Sequence, residues 1–272
     1  MLTPDQRSFY EENGYLLVKG LLSREEAAFL RQETHALAER LAAHRSIDAT
    51  WASARTAVAE ATDTKILHCH DVQFQAAAFS KLIMDDRLTA VAAAIIGSEN
   101  VQLHHTKMFI KPPEKGSPFP MHQDHPFFPH ERHSMIAAIV HFDDAPLEKG
   151  CVRVVPGSHR QGPLPHEPEG SWHLPFAQYP LESAEPCPAQ AGDVLFFSYL
   201  TVHGSGINTS SEARTTLLVQ MRDAADPPTL KTHESRGQGM MLRGIAPAVP
   251  PTAGEAMMDD AMPMGVSMGT TM

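Results

Sequence analysis

Cysteine is scarce in this sequence: 272 residues contain three, Cys69, Cys151 and Cys187. An odd, widely spaced set offers neither the pairing of a disulfide scaffold nor the ligand spacing of a structural zinc site, and it fits a reducing cytoplasm. Long apolar runs are missing too. The longest, such as Ala90 to Ile96, fall far short of the ~20 residues that cross a bilayer, so no membrane span is expected. The start, Met1 to Arg7, is charged at once and lacks the apolar centre of a signal peptide. There is no basic excess either, since Lys and Arg total 22 against 32 Asp and Glu, a formal net charge of −10. Polyanion recognition is usually built from clustered cations, so nucleic acid is not an expected partner and a small molecule is. The local groups Lys107, Lys111, Lys115 and Arg153/Arg160 read as solvated side chains.

What remains is an ordinary globular composition, 42% hydrophobic and 20% charged, long enough for one large domain with a sizeable core. Helical signals come first. Thr3-Pro4 is an N-cap followed by a first helical position, with a stop at Gly14, and Tyr15 to Val18 then reads as a short strand. Ser23-Arg-Glu-Glu26 has capping-box spacing, and Ala27, Leu30, Leu37 and Leu41 continue an apolar stripe to about His44. Ser46 to Thr64, anchored only by Trp51, reads as a mobile loop or broken helix. Asp85 to Ile96 is a helix with an acidic first turn and Gly97 as its stop.

From residue 101 the period changes. Val101 to Lys111, Met135 to Phe142, Cys151 to Val155, Val194 to Tyr199 and Thr215 to Met221 are β-branched or aromatic runs broken by Pro/Gly turns. Helices followed by strands predict an α+β fold with a mainly β core: a helical layer over 1–97, a closed or sandwiched β-core over about 98–225, and one domain spanning 1–245. The tail 246–272, rich in Met, Pro and Gly, reads as disordered. Its irregular methionines, with no Cys or His among them, make a poor Cu(I) site.

Histidine is plentiful, at 16 residues, so a His-x-Asp pair is nearly expected by chance. The pair His122-Gln123-Asp124 stands out because an extended strand points residues two apart to one face. With His203 it would complete two imidazoles and a carboxylate, a set that holds Fe(II) on one side and leaves positions open. Three protein ligands plus water also describe a catalytic zinc. His125, His130 and His133 lie on a proline-rich stretch and read as a polar lid rather than a second metal site. His68-Cys69-His70 reads as a strand edge. Arg160 to Tyr179, with Trp172 and Phe176, is a long loop of the kind that contacts substrate at a barrel mouth.

A series of motifs in order, Lys111-Pro-Pro-Glu-Lys-Gly116, Pro120 to Pro129, Gly150-Cys-Val-Arg-Val-Val-Pro156-Gly-Ser-His159, Gly192-Asp-Val-Leu-Phe-Phe197 and His203-Gly-Ser-Gly206, resembles the phytanoyl-CoA dioxygenase (PhyH) family over roughly residues 8 to 225. That resemblance implies a double-stranded β-helix, a jelly roll of the cupin-like kind with flanking N-terminal helices. It also implies oxygenation dependent on Fe(II), 2-oxoglutarate and O2, releasing succinate and CO2 and hydroxylating an unactivated C–H of a secondary metabolite, lipid or acyl-CoA. His122, Asp124 and His203 become the iron ligands. Arg214 matches the arginine that pairs with the far carboxylate of the cosubstrate, a job suited to its planar fork. Ser205 matches a hydroxyl sharing that carboxylate, while Lys65 and His104 match further cosubstrate contacts. Relatives carry a tryptophan after the His-x-Asp motif where this chain reads Val140, which implies a different pocket and substrate. Relatives that halogenate lack the carboxylate present here as Asp124. Two readings from other classes compete, a zinc-dependent hydrolase and a non-catalytic β-barrel binding or sensing protein.

Overall fold

Two capping boxes start the chain's helices where the sequence places them. The structure, a computed structural model, describes residues 2–50, 64–168, 172–230 and 232–247. Most of the segment read as a loop or broken helix (51–63, with Trp51) and nearly all of the tail lie outside the described residues. Helix α1 (Pro4–Asn13) opens on Thr3, whose hydroxyl accepts from the Gln6 N–H while the Gln6 side chain answers the Thr3 N–H. It ends at Gly14 in the left-handed conformation that costs glycine least. Helix α2 (Arg24–Ala42) repeats the device with Ser23 and Glu26, and buries Ala27, Leu30, Thr34, Leu37 and Ala38 along one stripe. Helix α3 (Ala77–Ile83) was not expected: it is one short stretch with no side-chain cap, and its sequence signal is correspondingly weak. Helix α4 (Asp86–Ile96) runs from an Asp85 cap to Gly97.

Eleven strands among the described residues form two antiparallel sheets. The major sheet has the order β1 (Tyr15–Val18), β8 (Val194–Ser198), β5 (Ile136–His141), β10 (Arg214–Asp223), β3 (Val101–Lys111) and β11 (Met241–Arg243), with β2 (Leu67–His70) also pairing β3. The minor sheet runs β4 (Phe119–His122), β9 (His203–Ser205), β6 (Val152–Val154) and β7 (Glu185–Cys187). Two facing antiparallel sheets with crossing connections make the jelly roll, and the helices cover one outer face.

Strand alternation divides the major sheet cleanly. Leu217, Val219 and Met221 of β10, Ile136, Ala138 and Val140 of β5, and Val194 and Phe196 of β8 pack against Leu30 and Leu37 of α2, Phe79 and Ile83 of α3 and Leu88 of α4. Phe79, Ile83 and Leu88 are fully buried. Each such side chain contributes about 1.5–3 kcal/mol by leaving water. The opposite residues, Ala137, Ile139, Leu195 and Phe197, face Val152 and Val154 of the minor sheet. Val140 therefore points into the helical layer rather than the space between the sheets. The residue of β5 that faces inward there is Ile139, so Val140 does not shape the pocket as its sequence position suggests.

Strand β3 contains a bulge. Gln220 of β10 pairs with His105 and Met221 with Leu103, which leaves His104 opposite no residue of β10. One extra residue reverses the alternation. Below the bulge Val101 and Leu103 face the helices; above it Met108 and Ile110 do.

Candidate metal centre and cosubstrate pocket

The minor sheet brings two histidines together by pairing alone. His122 of β4 lies directly opposite His203 of β9, and cross-strand partners share a face. Their ring centroids are 4.2 Å apart. Each ring is fixed by the carbonyl two residues earlier: His122 Nδ1 lies 2.7 Å from the Pro120 oxygen and His203 Nδ1 2.9 Å from the Thr201 oxygen. A carbonyl can only accept, so both Nδ1 atoms carry hydrogen and both Nε2 atoms present lone pairs.

Asp124 joins them by a different route from the one its spacing suggests. Strand β4 stops at His122, and Asp124 adopts a helical conformation just before the 3-10 turn His125–Phe127. Its N–H donates to the Tyr199 carbonyl at 2.9 Å. Its Oδ1 then sits 3.6 Å from His122 Nε2 and 3.7 Å from His203 Nε2, and its Oδ2 accepts from Gln220 Nε2 at 2.6 Å. Gln123 turns the other way, donating to the Gly162 and Leu200 carbonyls and accepting from the Leu164 N–H.

The donors fit a metal ion. Their three ligand atoms all lie within 4.8 Å of one another, and ligands about 2.1 Å from a shared ion, some 90–110° apart, are separated by about 3.0–3.4 Å. A few tenths of an ångström of closure separates the two histidine–aspartate distances from that range. Burial, with His122 close by, pushes His203 down to about 4, so the ring is neutral as a ligand must be. Burial works against ionisation of Asp124, yet its carboxyl is held below the ordinary value, with the Gln220 amide donating to it.

This trio and Arg214 line one cavity of about 230 Å³. Arg214 begins β10, and alternation sets Thr216, Leu218 and Gln220 on the same inward face. The guanidinium is buried, and one of its terminal nitrogens donates to the Gly150 carbonyl. Its Nε is buried with no hydrogen-bond partner, and it makes no ion pair with any described residue. Burial pushes it down to about 10. A buried cation left this way is costly unless an anion arrives. Gly150 itself has φ +66°, and a Cβ there would overlap the backbone of Gly206 and Ile207.

Ser205 lines the cavity beside Arg214 and accepts from Lys111 Nζ at 2.7 Å. Lys111 is the register partner of Arg214 and is fully buried, so it is not the solvated lysine its sequence context suggests. Burial, with Arg214 alongside, lowers its pKa well below the usual lysine value. Lys65 is the expected contact that does not arrive: its side chain is exposed and does not line the cavity, and its backbone pairs with the 115–116 turn. His104 does not line the cavity either. The bulge puts His105 on the wall, and the two rings meet Nδ1 to Nδ1 at 2.7 Å.

The expected substrate loop has another role among the described residues. No described residue of 160–179 lines the cavity. Instead His166 Nε2 accepts the Gln123 N–H at 2.8 Å, bracing the backbone between two of the trio, while Trp172 is exposed on a separate surface groove. In the stretch read as a lid, His125 packs against His133, whose Nδ1 meets the Tyr199 hydroxyl. Lys111, Gln220, His105 and Ile139 were missed from sequence. The signal that could have found Gln220 is the two-residue period running inward from Arg214.

A jelly roll whose inner cavity carries two histidines, a carboxylate and a buried arginine with no ion-pair partner among the described residues defines the non-haem iron oxygenases that use a 2-oxo acid. Residues 10–216 match the model of the phytanoyl-CoA dioxygenase (PhyH) family, and the chain belongs to that family of Fe(II)- and 2-oxoglutarate-dependent enzymes. It is 30% identical over 240 residues to the peroxisomal phytanoyl-CoA dioxygenase of Bos taurus, covering 82% of this chain and 69% of that one. It is 28% identical over 256 residues to the ectoine dioxygenase of Bordetella bronchiseptica, covering 84% and 78%. Among solved structures it resembles the epimerase SnoN in complex with Fe3+, alpha ketoglutarate and nogalamycin RO, at 25% identity and TM-score 0.66 over 90% of this chain and 95% of that one. The fold also matches EctD from S. alaskensis in its apoform, at 23% identity and TM-score 0.65 over 84% and 79%. Family membership excludes the hydrolase reading and makes the chain an enzyme rather than a binding protein. Among the described residues no helix is long and apolar enough to cross a membrane.

Proposed function

We propose that this chain oxidises an unactivated C–H bond of a small, largely apolar organic molecule, with hydroxylation as the outcome, and that His122, Asp124 and His203 hold its iron. The observation that carries the reading is the convergence on one cavity of this trio and of Arg214, whose Nε is buried with no hydrogen-bond partner. Bound Fe(II), with 2-oxoglutarate and O2, supplies the oxidising power, releasing succinate and CO2. The protein's share is placement. Pro120 and Thr201 orient the two imidazoles, Gln220 fixes the free carboxylate oxygen of Asp124, and Arg214 with Ser205 receives the far carboxylate of the cosubstrate. Lys111 holds Ser205 from behind.

The walls favour an apolar substrate. Phe109, Phe119, Phe127, Phe128, Ile139 and Phe197 line the cavity and exclude water from the reacting centre, beside polar anchors in Lys107, His70, His105 and His233. A secondary metabolite with ring or chain character suits such walls better than a small zwitterion. The test is anaerobic reconstitution with Fe(II) and 2-oxoglutarate, then O2 and pooled candidate substrates, reading succinate and the mass gain of one oxygen. Succinate coupled to a product heavier by one oxygen, and lost in His122→Ala, is the expected result. Activity surviving in His122→Ala, or a protein that holds only zinc and does not bind 2-oxoglutarate, overturns the proposal.

A further inference from the structure

A second group of histidines faces the same cavity. His70 ends β2, His105 follows the β3 bulge and His233 lies in the segment after β10, and all three line the cavity that holds His122, Asp124 and His203. Their ligand atoms lie within 4.8 Å of one another. The ring centroids are 4.7 Å (His105–His233), 5.3 Å (His70–His233) and 5.9 Å (His70–His105) apart. Three imidazoles on one tetrahedral zinc ion have centroids about 5.2 Å apart, given metal–nitrogen bonds of about 2.0–2.1 Å. The observed distances bracket that figure.

We propose that His70, His105 and His233 form a second metal site, of the three-histidine zinc type, at the opening of the cavity, with its fourth position turned inward to take an anionic oxygen of the substrate. Three features support it. The pairing of β2 with β3 sets His70 near His105, and His233 joins them from a segment outside both strands. His105 has one ring nitrogen engaged by His104, the arrangement in which a neighbour on the second nitrogen fixes a metal-bound ring. The segment carrying His233 is held in place: the Ser235 hydroxyl donates to Asp71, next to His70, the Arg236 guanidinium lies 4.7 Å over the Phe74 ring, and the Gly239 N–H donates to the Leu103 carbonyl. His233 itself is held at φ +49°, a conformation uncommon for residues other than glycine and one that clusters at functional sites.

The cation beside the trio is Lys107, register partner of His70, whose ammonium is drawn 4.9 Å over the Phe109 ring, and the nearby carboxylates are Asp71 and Asp124. A cation there weighs against a bare dication and favours one whose fourth ligand is an anion. His233 is exposed, so an ion reaches the site from solvent.

The experiment is Co2+ and Zn2+ titration of the metal-free full chain, read by bound-metal analysis and by the visible absorption of tetrahedral cobalt. The unaltered chain should take two equivalents. His122→Ala should take one, with the tetrahedral cobalt band retained. His233→Ala, an exposed position whose loss leaves the core intact, and His70→Ala should each take one without that band, with affinity for the lost equivalent at least about 100-fold weaker. The double variant His122→Ala/His233→Ala should take none. One equivalent in the unaltered chain and none in His122→Ala overturns the second site and leaves the iron reading standing. Two equivalents persisting in His122→Ala overturns the iron reading instead. Two in the unaltered chain and in His233→Ala assigns the second ion elsewhere and overturns this proposal.

Discussion

Replacing Gln220 with leucine separates the metal-orienting role of this residue from its part in the fold. Its amide nitrogen donates to Asp124 Oδ2 at 2.6 Å, while its own Oε1 is buried with no partner. Leucine keeps the bulk and removes both atoms. For the fold the two losses oppose each other, since an unsatisfied oxygen disappears as a hydrogen bond does, and unfolding free energy should change by no more than about 1 kcal/mol. For the metal they do not cancel. A hydrogen bond to a charged acceptor contributes about 1.5–3 kcal/mol, and loss of a partner behind a metal ligand weakens affinity about 10- to 100-fold, which is about 1.4–2.7 kcal/mol. The assay is Fe(II) affinity by competition with a calibrated chelator, beside denaturant unfolding of the metal-free chain. Thr216→Val is the control, on the same inward face of β10 but not bonded to Asp124, and it should leave iron affinity unchanged. If Gln220→Leu binds iron as tightly as the unaltered chain, the orienting role is wrong. If its stability falls by several kcal/mol, the residue is structural and the metal effect is secondary.

Arg214→Met should raise the KM for 2-oxoglutarate about 30-fold or more, as removing one member of a buried charge pair costs about 2–5 kcal/mol, and Arg214→Lys should restore little because the fork is gone; equal KM values would refute the cosubstrate role. Ile139→Ala should alter substrate selectivity in turnover assays, whereas Val140→Ala should cost about 1–3 kcal/mol of stability with kinetics intact; the reverse pattern would mean that the two faces of β5 are exchanged. Gly150→Ala should destabilise by more than the about 1–2 kcal/mol of a left-handed alanine and also raise the KM for 2-oxoglutarate, because the Gly150 carbonyl holds Arg214; a normal KM would separate the turn from the pocket. His141 is fully buried, and burial, with Arg214 near, pushes it down to about 4. Below pH 6.5 the unfolded chain gains a proton that the folded chain refuses, so stability should fall as pH drops from 6.5 towards 4, by up to about 1.4 kcal/mol per pH unit from this residue; an identical acid slope in His141→Asn would refute it.

Local rules made much of this fold legible. Capping boxes at Thr3 and Ser23 and glycine stops at Gly14 and Gly97 mark helix ends because they satisfy backbone groups within a few residues of sequence. The apolar run of β3 coincides with its observed ends, Val101 and Lys111. The three-residue strands β7, β9 and β11 have no long apolar run to mark them, whereas the equally short β6 sits within the run Cys151 to Val155. At the site, His122, Asp124 and His203 were found together although the strand argument for Asp124 fails: a turn tied to the Tyr199 carbonyl sets that carboxylate, and only the tertiary structure supplies that tie. Lys65 was misplaced because sequence order gave no measure of which lysine is buried, whereas the pairing of Arg214 with Lys111 decides it. The cavity wall takes His105 in place of the expected His104, because a bulge leaves no mark in the hydrophobic pattern when both residues are histidine.

That same bulge governs how positions in this enzyme are matched to those of its relatives. Strand β3 keeps two separate counts, odd residues facing the helices before His104 and even residues after it. An alignment that runs through residue 104 without a gap, against a relative whose strand is regular, will be right on one side and shifted to the wrong face on the other. Cavity residues of β3 therefore have to be transferred from Lys111 backwards and stopped at His105, with the numbering restarted at Leu103.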